Sequence, residues 1–320
     1  MELVEKKGVR HMSKENTTIA NSTSFALAAK VKDYFQLIKF TLSFMVVFST
    51  VVSFLIAPNE LYYVRSKVIS VLLLFIGGML ITGSANAINQ VLEKSTDAMM
   101  KRTASRPVAS GRMHANEATA FAVITGITGI FILWYYFNYQ SALVGLFSLL
   151  LYGFIYTPLK KINSVAVLVG AIPGALPCLI GWVAATGDFS IGGWILFGIQ
   201  FLWQFPHFWA IAWLAHQDYT TAGFKLLPGD KGPTKFTALQ TIIYSAMMIP
   251  FGLLPYFAGI TNTGTRGIIC TAVLFVCNLW MVYVSILLFK KMDLKSARKV
   301  MFSSYFYLMI VLLALLIGRA

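Results

Sequence analysis

The stretch NQVLEKSTDAMMKRTASRPVASG, from Asn89 to Gly111, decides how the chain is read. It follows a long apolar run, Val68 to Ile88, and carries the densest polar chemistry of a strongly apolar protein. Asn89, Glu93 and Asp97 are spaced four and four. On a helix that spacing puts three oxygen-bearing side chains on one face, one turn above another. Such a row suits a hard cation, Mg²⁺ before Ca²⁺, above all one shared with phosphate oxygens. Lys101, Arg102, Arg106 and Arg112 come next. A cation-binding face followed by arginines matches what a Mg²⁺–diphosphate group needs. A blander reading stands beside this one: charges just beyond an apolar span form a solvated loop, with basic residues held on the cytoplasmic side.

Working outward, the 320 residues are 58% hydrophobic and 12% charged. Their mean hydropathy is +0.72. This composition excludes a soluble globular domain and predicts a polytopic membrane protein. The net charge of +14 would fit a nucleic-acid partner. The basic residues sit between apolar spans instead, so no nucleic acid is expected. Cys178, Cys270 and Cys277 all lie within apolar runs, with no CxxC or Cys/His spacing. They read as structural thiols rather than a disulfide framework. Residues 1–30 are polar, of mixed charge and without an apolar core. They read as a disordered cytoplasmic tail and not as a secretory signal.

Residues 31–320 read as one all-α domain of nine transmembrane helices. The expected spans are 36–57, 68–90, 115–137, 140–157, 164–184, 190–214, 236–259, 266–289 and 299–318. Each can cross a hydrocarbon core of about 30 Å at about 1.5 Å per residue. Lys30–Phe35 (KVKDYF) reads as a short interfacial segment before the first span. With the N-terminus inside, 22 of the 26 Lys and Arg residues fall on the inner side. That asymmetry places the N-terminus in the cytoplasm and the C-terminus outside. Tyr62, Tyr63, Trp134, Tyr135, Tyr136 and Trp194 mark the outer boundary.

Polar chemistry returns after span six, in FLWQFPHFWAIAWLAHQDYTTAGFKLLPGDKG, Phe201 to Gly232. Pro206 can kink the span, and His207 follows it. Taken alone, His207 reads either as a neutral histidine bonded to a carbonyl freed by the proline or as a ligand. A shorter inner loop, YGFIYTPLKKINS, carries Lys160 and Lys161. These are either ordinary positive-inside residues or a third side of a diphosphate site. A transporter or channel is the competing function class. Against it, no acid or Lys lies in mid-span, where coupling residues sit.

The two polar stretches resemble the UbiA-type intramembrane prenyltransferases, and within them the haem-farnesylating branch. One pattern runs through Asn89, Glu93, Asp97, Met100, Arg102, Thr103, Arg106 and Pro107. The other runs through Pro206, His207, Phe208, Trp209, Ala210 and Ala212, then Asp218, Tyr219, Ala222, Gly223, Leu227 and Pro228. Gly174 to Gly187 is also similar to that family's fifth span. The resemblance covers residues 30 to 320. His216 and Gln217 stand where relatives often carry a charge, so the second pattern offers one carboxylate.

The resemblance implies helices around a central cavity that opens to lipid, with acidic motifs at the cytoplasmic rim of the inner membrane. It implies transfer of the farnesyl group of farnesyl diphosphate to a vinyl group of haem B, making haem O and releasing diphosphate. Haem is then substrate, and Mg²⁺ is the cofactor. Asn89, Glu93, Asp97 and Asp218 would hold the metal. Arg102, Arg106, Lys160 and Lys161 would bind diphosphate oxygens. His207, Trp209 and Tyr219 would contact haem, with His207 on the iron. The product would be available to a haem A synthase or to terminal-oxidase assembly. Prenylation of a quinone precursor such as 4-hydroxybenzoate is the nearest alternative. The His-Phe-Trp run favours haem.

The orientation is testable in intact cells. Ser105→Cys should react with a membrane-impermeant thiol reagent only from the cytoplasmic side, and Gly264→Cys only from outside. External labelling of Ser105→Cys would overturn the assignment.

Overall fold

The computed structural model describes residues 27–58, 66–228 and 232–320. Most of the expected tail, and Tyr62 and Tyr63, lie outside the described residues. Residues 27–30 of that expected tail are helical. The helices are α1 (Leu27–Leu37), α2 (Phe40–Ile56), α3 (Lys67–Leu92), α4 (Lys94–Met99), α5 (Ala115–Tyr136) and α6 (Tyr139–Leu150). A π-helical turn, Leu151–Tyr156, runs on into the short α7 (Thr157–Leu159). Then come α8 (Ala166–Thr186), α9 (Ile191–Leu214), α10 (His216–Thr221), α11 (Lys235–Phe257), α12 (Thr265–Lys291) and α13 (Leu294–Gly318). Among the described residues eight helical stretches can cross a bilayer, and the bent pair α1–α2 makes a ninth. This is the all-α, nine-span architecture expected, with boundaries moved by a few residues.

Helix starts follow local chemistry. Ser66, Asn138, Thr234 and Asp293 each accept a bond from a backbone N–H three residues on, capping α3, α6, α11 and α13. Such caps satisfy donors that the first turn leaves free. Helices α2, α3, α5, α6 and α8 pack as one group, and α9, α11, α12 and α13 as another. The groups join where α8 meets α9 and α2 meets α13. Helices α8 and α9 are therefore buried over most of their length. This agrees with their being apolar on all sides.

Close packing needs glycine at two places. A Cβ on Gly181 of α8 would lie 2.0 Å from the Thr50 carbonyl oxygen of α2. A Cβ on Gly170 would lie 2.5 Å from the Tyr156 ring. Gly181 lets two backbones touch, and Gly170 seats a ring that lines the site described below. Pro177 cannot donate to the Pro173 carbonyl one turn back. Ser148 of α6 donates to that carbonyl at 3.3 Å instead. Gln200 and Gln204 of α9 donate to the carbonyls of Gly174 (2.8 Å) and Ala171 (2.9 Å). Polar side chains thus satisfy α8 where water cannot reach, as a bilayer requires. The cysteines are free thiols, with Cys178 and Cys270 buried and Cys277 half-buried.

The first span is broken rather than straight. Helices α1 and α2 meet at 51°. Lys39, at the break, has φ 49° and ψ 58°, the left-handed region that costs a non-glycine residue about 1–2 kcal/mol. The carbonyls left free at the end of α1 are taken by α3. Gln90 donates to Gln36 and Leu37 at 3.0 Å, and Asn86 donates to Ile38 at 3.1 Å. Helix α1 is also tied to α5 by Lys30–Glu117 at 2.7 Å, and to the loop after α4 by Arg112–Asp33 at 2.9 Å. Arg112 is therefore a strut for α1 and not a fourth cation beside the acid row.

Candidate active site

The row Asn89, Glu93 and Asp97 straddles a helix break. Helix α3 ends at Leu92, and Glu93 joins it to α4 with φ −97° and ψ 11°. The bonds Glu93 N–H to Asn89 C=O (2.9 Å) and Asp97 N–H to Glu93 C=O (2.7 Å) persist across it. The four-residue spacing therefore keeps its register. Asn89 is 1% exposed, Glu93 4% and Asp97 0%. A solvated helix face would not bury two carboxylates this far, which settles against the blander reading of the acid row.

All three side chains line one cavity of about 210 Å³. Arg102, Arg106, Lys160, Tyr219 and Lys39 line it as well. Each oxygen-bearing group has a basic partner drawn from elsewhere. Arg106 Nη1 donates to both Asp97 oxygens, at 2.7 and 2.8 Å. Lys160 Nζ donates to Glu93 Oε1 at 2.7 Å. Lys39 Nζ donates to Asn89 Oδ1 at 2.7 Å. The Asn89 amide in turn donates to Thr157 Oγ1 at 3.3 Å. Arg102 reaches across to the second polar stretch, donating to the Tyr219 hydroxyl at 3.1 Å.

Lys160 is 8% exposed and lies over the Tyr156 ring at 4.7 Å. A buried ammonium is stabilised there by the carboxylate and by ring quadrupoles together. The π-helical turn contributes Tyr152 and Tyr156 to the wall. Such turns re-aim side chains within a helix and recur at functional sites.

Four expected site residues are not brought into this cavity. Lys161 is exposed beside the inward-facing Lys160, because successive residues in a helical turn point about 100° apart. Asp218 is half-exposed on α10 and pairs with no basic side chain among the described residues. Its neighbour Tyr219 faces the cavity instead. His207 turns toward α13, with Nδ1 2.7 Å from Ser304 Oγ. Its ring stacks on Trp203 at 4.9 Å and meets Tyr305 edge-on at 4.9 Å. The freed-carbonyl partner proposed for it is thus a serine hydroxyl. Trp209 is 5% exposed and packs against Phe205 and Tyr244. From α9 the cavity receives Phe208 and Ile211, one turn apart.

Lys39 is the residue that sequence reasoning missed. It was counted only as a positive-inside charge, although it lies inside the expected first span. Its place at the head of the apolar run Phe40–Ile56 is the signal that could have found it.

The donors fit a divalent cation. Two carboxylates and an amide oxygen converge on one cavity, all of them hard ligands suited to Mg²⁺. Among the described residues no group of three or more His, Cys, Asp or Glu side chains gathers in one place. A metal here would therefore share its coordination with an anion. The three basic partners, displaced from the acids, would then be available to that anion.

Lys39 lines the same cavity and is placed to meet such an anion, diphosphate among them. Lys39→Asn keeps a residue tolerant of the left-handed backbone and removes the charge. A charge-assisted bond is worth about 1.5–3 kcal/mol. The variant should therefore weaken Mg²⁺-dependent diphosphate binding about 10- to 100-fold. Lys161→Ala should change it less than about twofold, because that side chain lies outside the cavity. Calorimetric titration of the purified protein checks both, and equal effects would deny Lys39 that role.

Comparison with known proteins agrees with this geometry. Residues 46–313 match the model of the UbiA prenyltransferase family. A protoheme IX farnesyltransferase of Cytophaga hutchinsonii is 40% identical over 295 residues, 92% of this chain and 99% of the relative. The protein of that name in Flavobacterium psychrophilum is 41% identical over 279 residues, 87% of this chain and 91% of the relative. Among solved structures, one from work on digeranylgeranylglyceryl phosphate synthase superposes with a TM-score of 0.73 at 22% identity. It covers 91% of this chain and 98% of its own. A UbiA homologue from Archaeoglobus fulgidus bound to GPP and Mg²⁺ gives 0.65 at 15% identity, covering 88% and 99%. At those identities the structures speak to the fold, and the fold is the same. With the match spanning most of its length, and with relatives about 40% identical end to end, the chain is a member of the UbiA prenyltransferase family.

Proposed function

We propose that this multi-pass membrane protein transfers the farnesyl group of farnesyl diphosphate to a vinyl group of haem B, giving haem O and diphosphate. One observation carries the proposal. A cavity end lined by three hard oxygen donors and four basic side chains adjoins a compartment that is almost wholly apolar. The first suits a diphosphate and the second, at about 90 Å³, the first apolar carbons of a polyisoprene chain. The choice of haem over a quinone precursor is supported by the relatives' shared name at about 40% identity. A transporter is not favoured, since family and cavity chemistry both point to group transfer.

Asn89, Glu93 and Asp97 are the residues that would hold Mg²⁺. Bound there, the ion would supply positive charge to the departing diphosphate. Arg102, Arg106, Lys160 and Lys39 would bind diphosphate oxygens, the arginines through their planar forks. Arg106 spends only Nη1 on Asp97, which leaves its other nitrogens for the substrate. Tyr152, Tyr156, Phe208 and Phe224 exclude water from the seam where the reactive carbon would lie. Haem would approach from the side of Phe208, Ile211 and Tyr219. The site faces the cytoplasmic side of the inner membrane, and the product would pass to haem A synthesis or oxidase assembly.

Expression in a cell lacking its own haem O synthesis tests the proposal. Extracted haem should include a species heavier by one farnesyl group and one hydroxyl. Asp97→Asn should lower its yield by about 10³-fold, since losing a metal ligand plausibly costs several kcal/mol at about 1.36 kcal/mol per decade. Accumulation of a prenylated 4-hydroxybenzoate with no modified haem would replace this reading with the quinone alternative.

A further inference from the structure

Asn86 lies three residues before Asn89 on the same face of α3, and it is 1% exposed. Its amide orientation is fixed by neighbours. Nδ2 donates to the Ile38 carbonyl at 3.1 Å and to Ser43 Oγ at 3.0 Å. Ser43 Oγ spends its own proton on the Ile38 carbonyl at 2.6 Å, so toward Asn86 it acts as acceptor. Flipping the amide would set Oδ1 against two acceptors, and the network therefore admits one orientation. In that orientation Oδ1 has no hydrogen-bond partner. A buried acceptor without a donor is costly, and native interiors leave few of them.

The unpaired oxygen belongs to a residue that lines the apolar compartment. That compartment, about 90 Å³, is walled by residues such as Val46, Ile81, Leu133, Pro177 and Ile180. It shares Leu42 and Tyr152 with the polar cavity, so the two meet at those side chains. Asn86 sits about 4.5 Å deeper along α3 than Asn89. A diphosphate held at the level of Asn89, Glu93 and Asp97 would place the first carbons of its chain at this seam. The Asn86 side chain, its carbonyl oxygen unpaired, lies on the wall of that compartment, next to the place where positive charge would develop. Preorganised dipoles of this kind stabilise transition states without reorganising.

We propose that Asn86 is a catalytic residue whose Oδ1 stabilises the allylic cation; this rests on the prenyl-transfer reading above. In the step concerned, the C1–O bond breaks and its electron pair leaves with the diphosphate oxygen. The positive charge spreads over C1 and C3 of the farnesyl group. The vinyl π pair then forms the new bond to C1. The cation left beside the pyrrole takes a water oxygen, and that water loses a proton. Asn86 forms no bond and changes no proton; it lowers the energy of the charge.

The alternative is that Asn86 only caps α1 through Nδ2 while a water serves Oδ1. Two unreactive ligands separate these roles, both measured with Mg²⁺ on purified protein. One is farnesyl thiolodiphosphate, with a neutral chain. The other is an aza analogue carrying an ammonium nitrogen in place of C3. The ratio of the two affinities reads cation stabilisation and is independent of the fraction of protein that is folded. Asn86→Leu should cut the preference for the ammonium analogue by about 10-fold or more, with thiolodiphosphate affinity kept within about threefold. Asn86→Asp should raise that preference, since it sets a full charge beside the cation. An unchanged ratio in Asn86→Leu overturns the proposal. Should that variant fail to fold, an unchanged or lowered ratio in Asn86→Asp overturns it. Failure of the unaltered protein to bind the thiolodiphosphate would instead sink the prenyl-diphosphate reading itself.

Discussion

Two carboxylates, Glu93 and Asp97, are buried in one cavity of this membrane protein, and each must be neutralised. Removing water from a charge is costly unless a partner of opposite sign is fixed close by. Lys160 and Arg106 meet that need at 2.7 Å, and Lys39 Nζ donates a hydrogen bond to the neighbouring Asn89 amide oxygen. These partners come from three separated segments: the α1–α2 break, the loop after α4, and the end of α7. The acid row therefore ties distant parts of the chain together before any ligand is bound. It also stores, beside the acids, the cations that a diphosphate would take up. Losing one partner of such a pair costs about 3–5 kcal/mol, so the same contacts serve folding and function.

Several departures from regular helix lie around this point. The α1–α2 break aims Lys39, the turn at Glu93 keeps the acids in register, and the π-helical turn delivers Tyr152 and Tyr156. Pro177 frees the Pro173 carbonyl of α8 for Ser148, and Gln200 and Gln204 bond two further carbonyls of that helix. In a bilayer an irregular backbone survives only where protein or a cavity satisfies it. Here Asn86 and Gln90 of α3 satisfy the end of α1, and side chains of α6 and α9 satisfy α8. These irregularities bring Lys39, Tyr152 and Tyr156 to the wall of the polar cavity.

Much of this was legible in the sequence. Apolar runs gave the spans, and the four-residue spacing gave the row Asn89, Glu93 and Asp97 that one cavity gathers, while Lys160 was left open between two readings. Which neighbour of a pair faces inward was not legible. Lys160 and Tyr219 point into the cavity, while Lys161 and Asp218 do not. A motif names both members, but about 100° of helical rotation separates them. His207 shows the same limit, since its ring lies on the α13 side and Phe208 takes the cavity side. Lys39 was hidden for a different reason. Its role depends on a broken span that hydropathy alone reads as continuous.

The central claim is that cation and diphosphate share one site whose acids are otherwise held by Lys160 and Arg106, with Lys39 on the Asn89 amide. Calorimetric titration of farnesyl thiolodiphosphate, with Mg²⁺ and with a chelator, tests it most directly. Binding should be about 100-fold tighter with Mg²⁺, and Mg²⁺ alone should give no measurable heat. By linkage, each ligand must strengthen the other by the same factor. Equal affinity for the thiolodiphosphate in the presence of the chelator would contradict the claim.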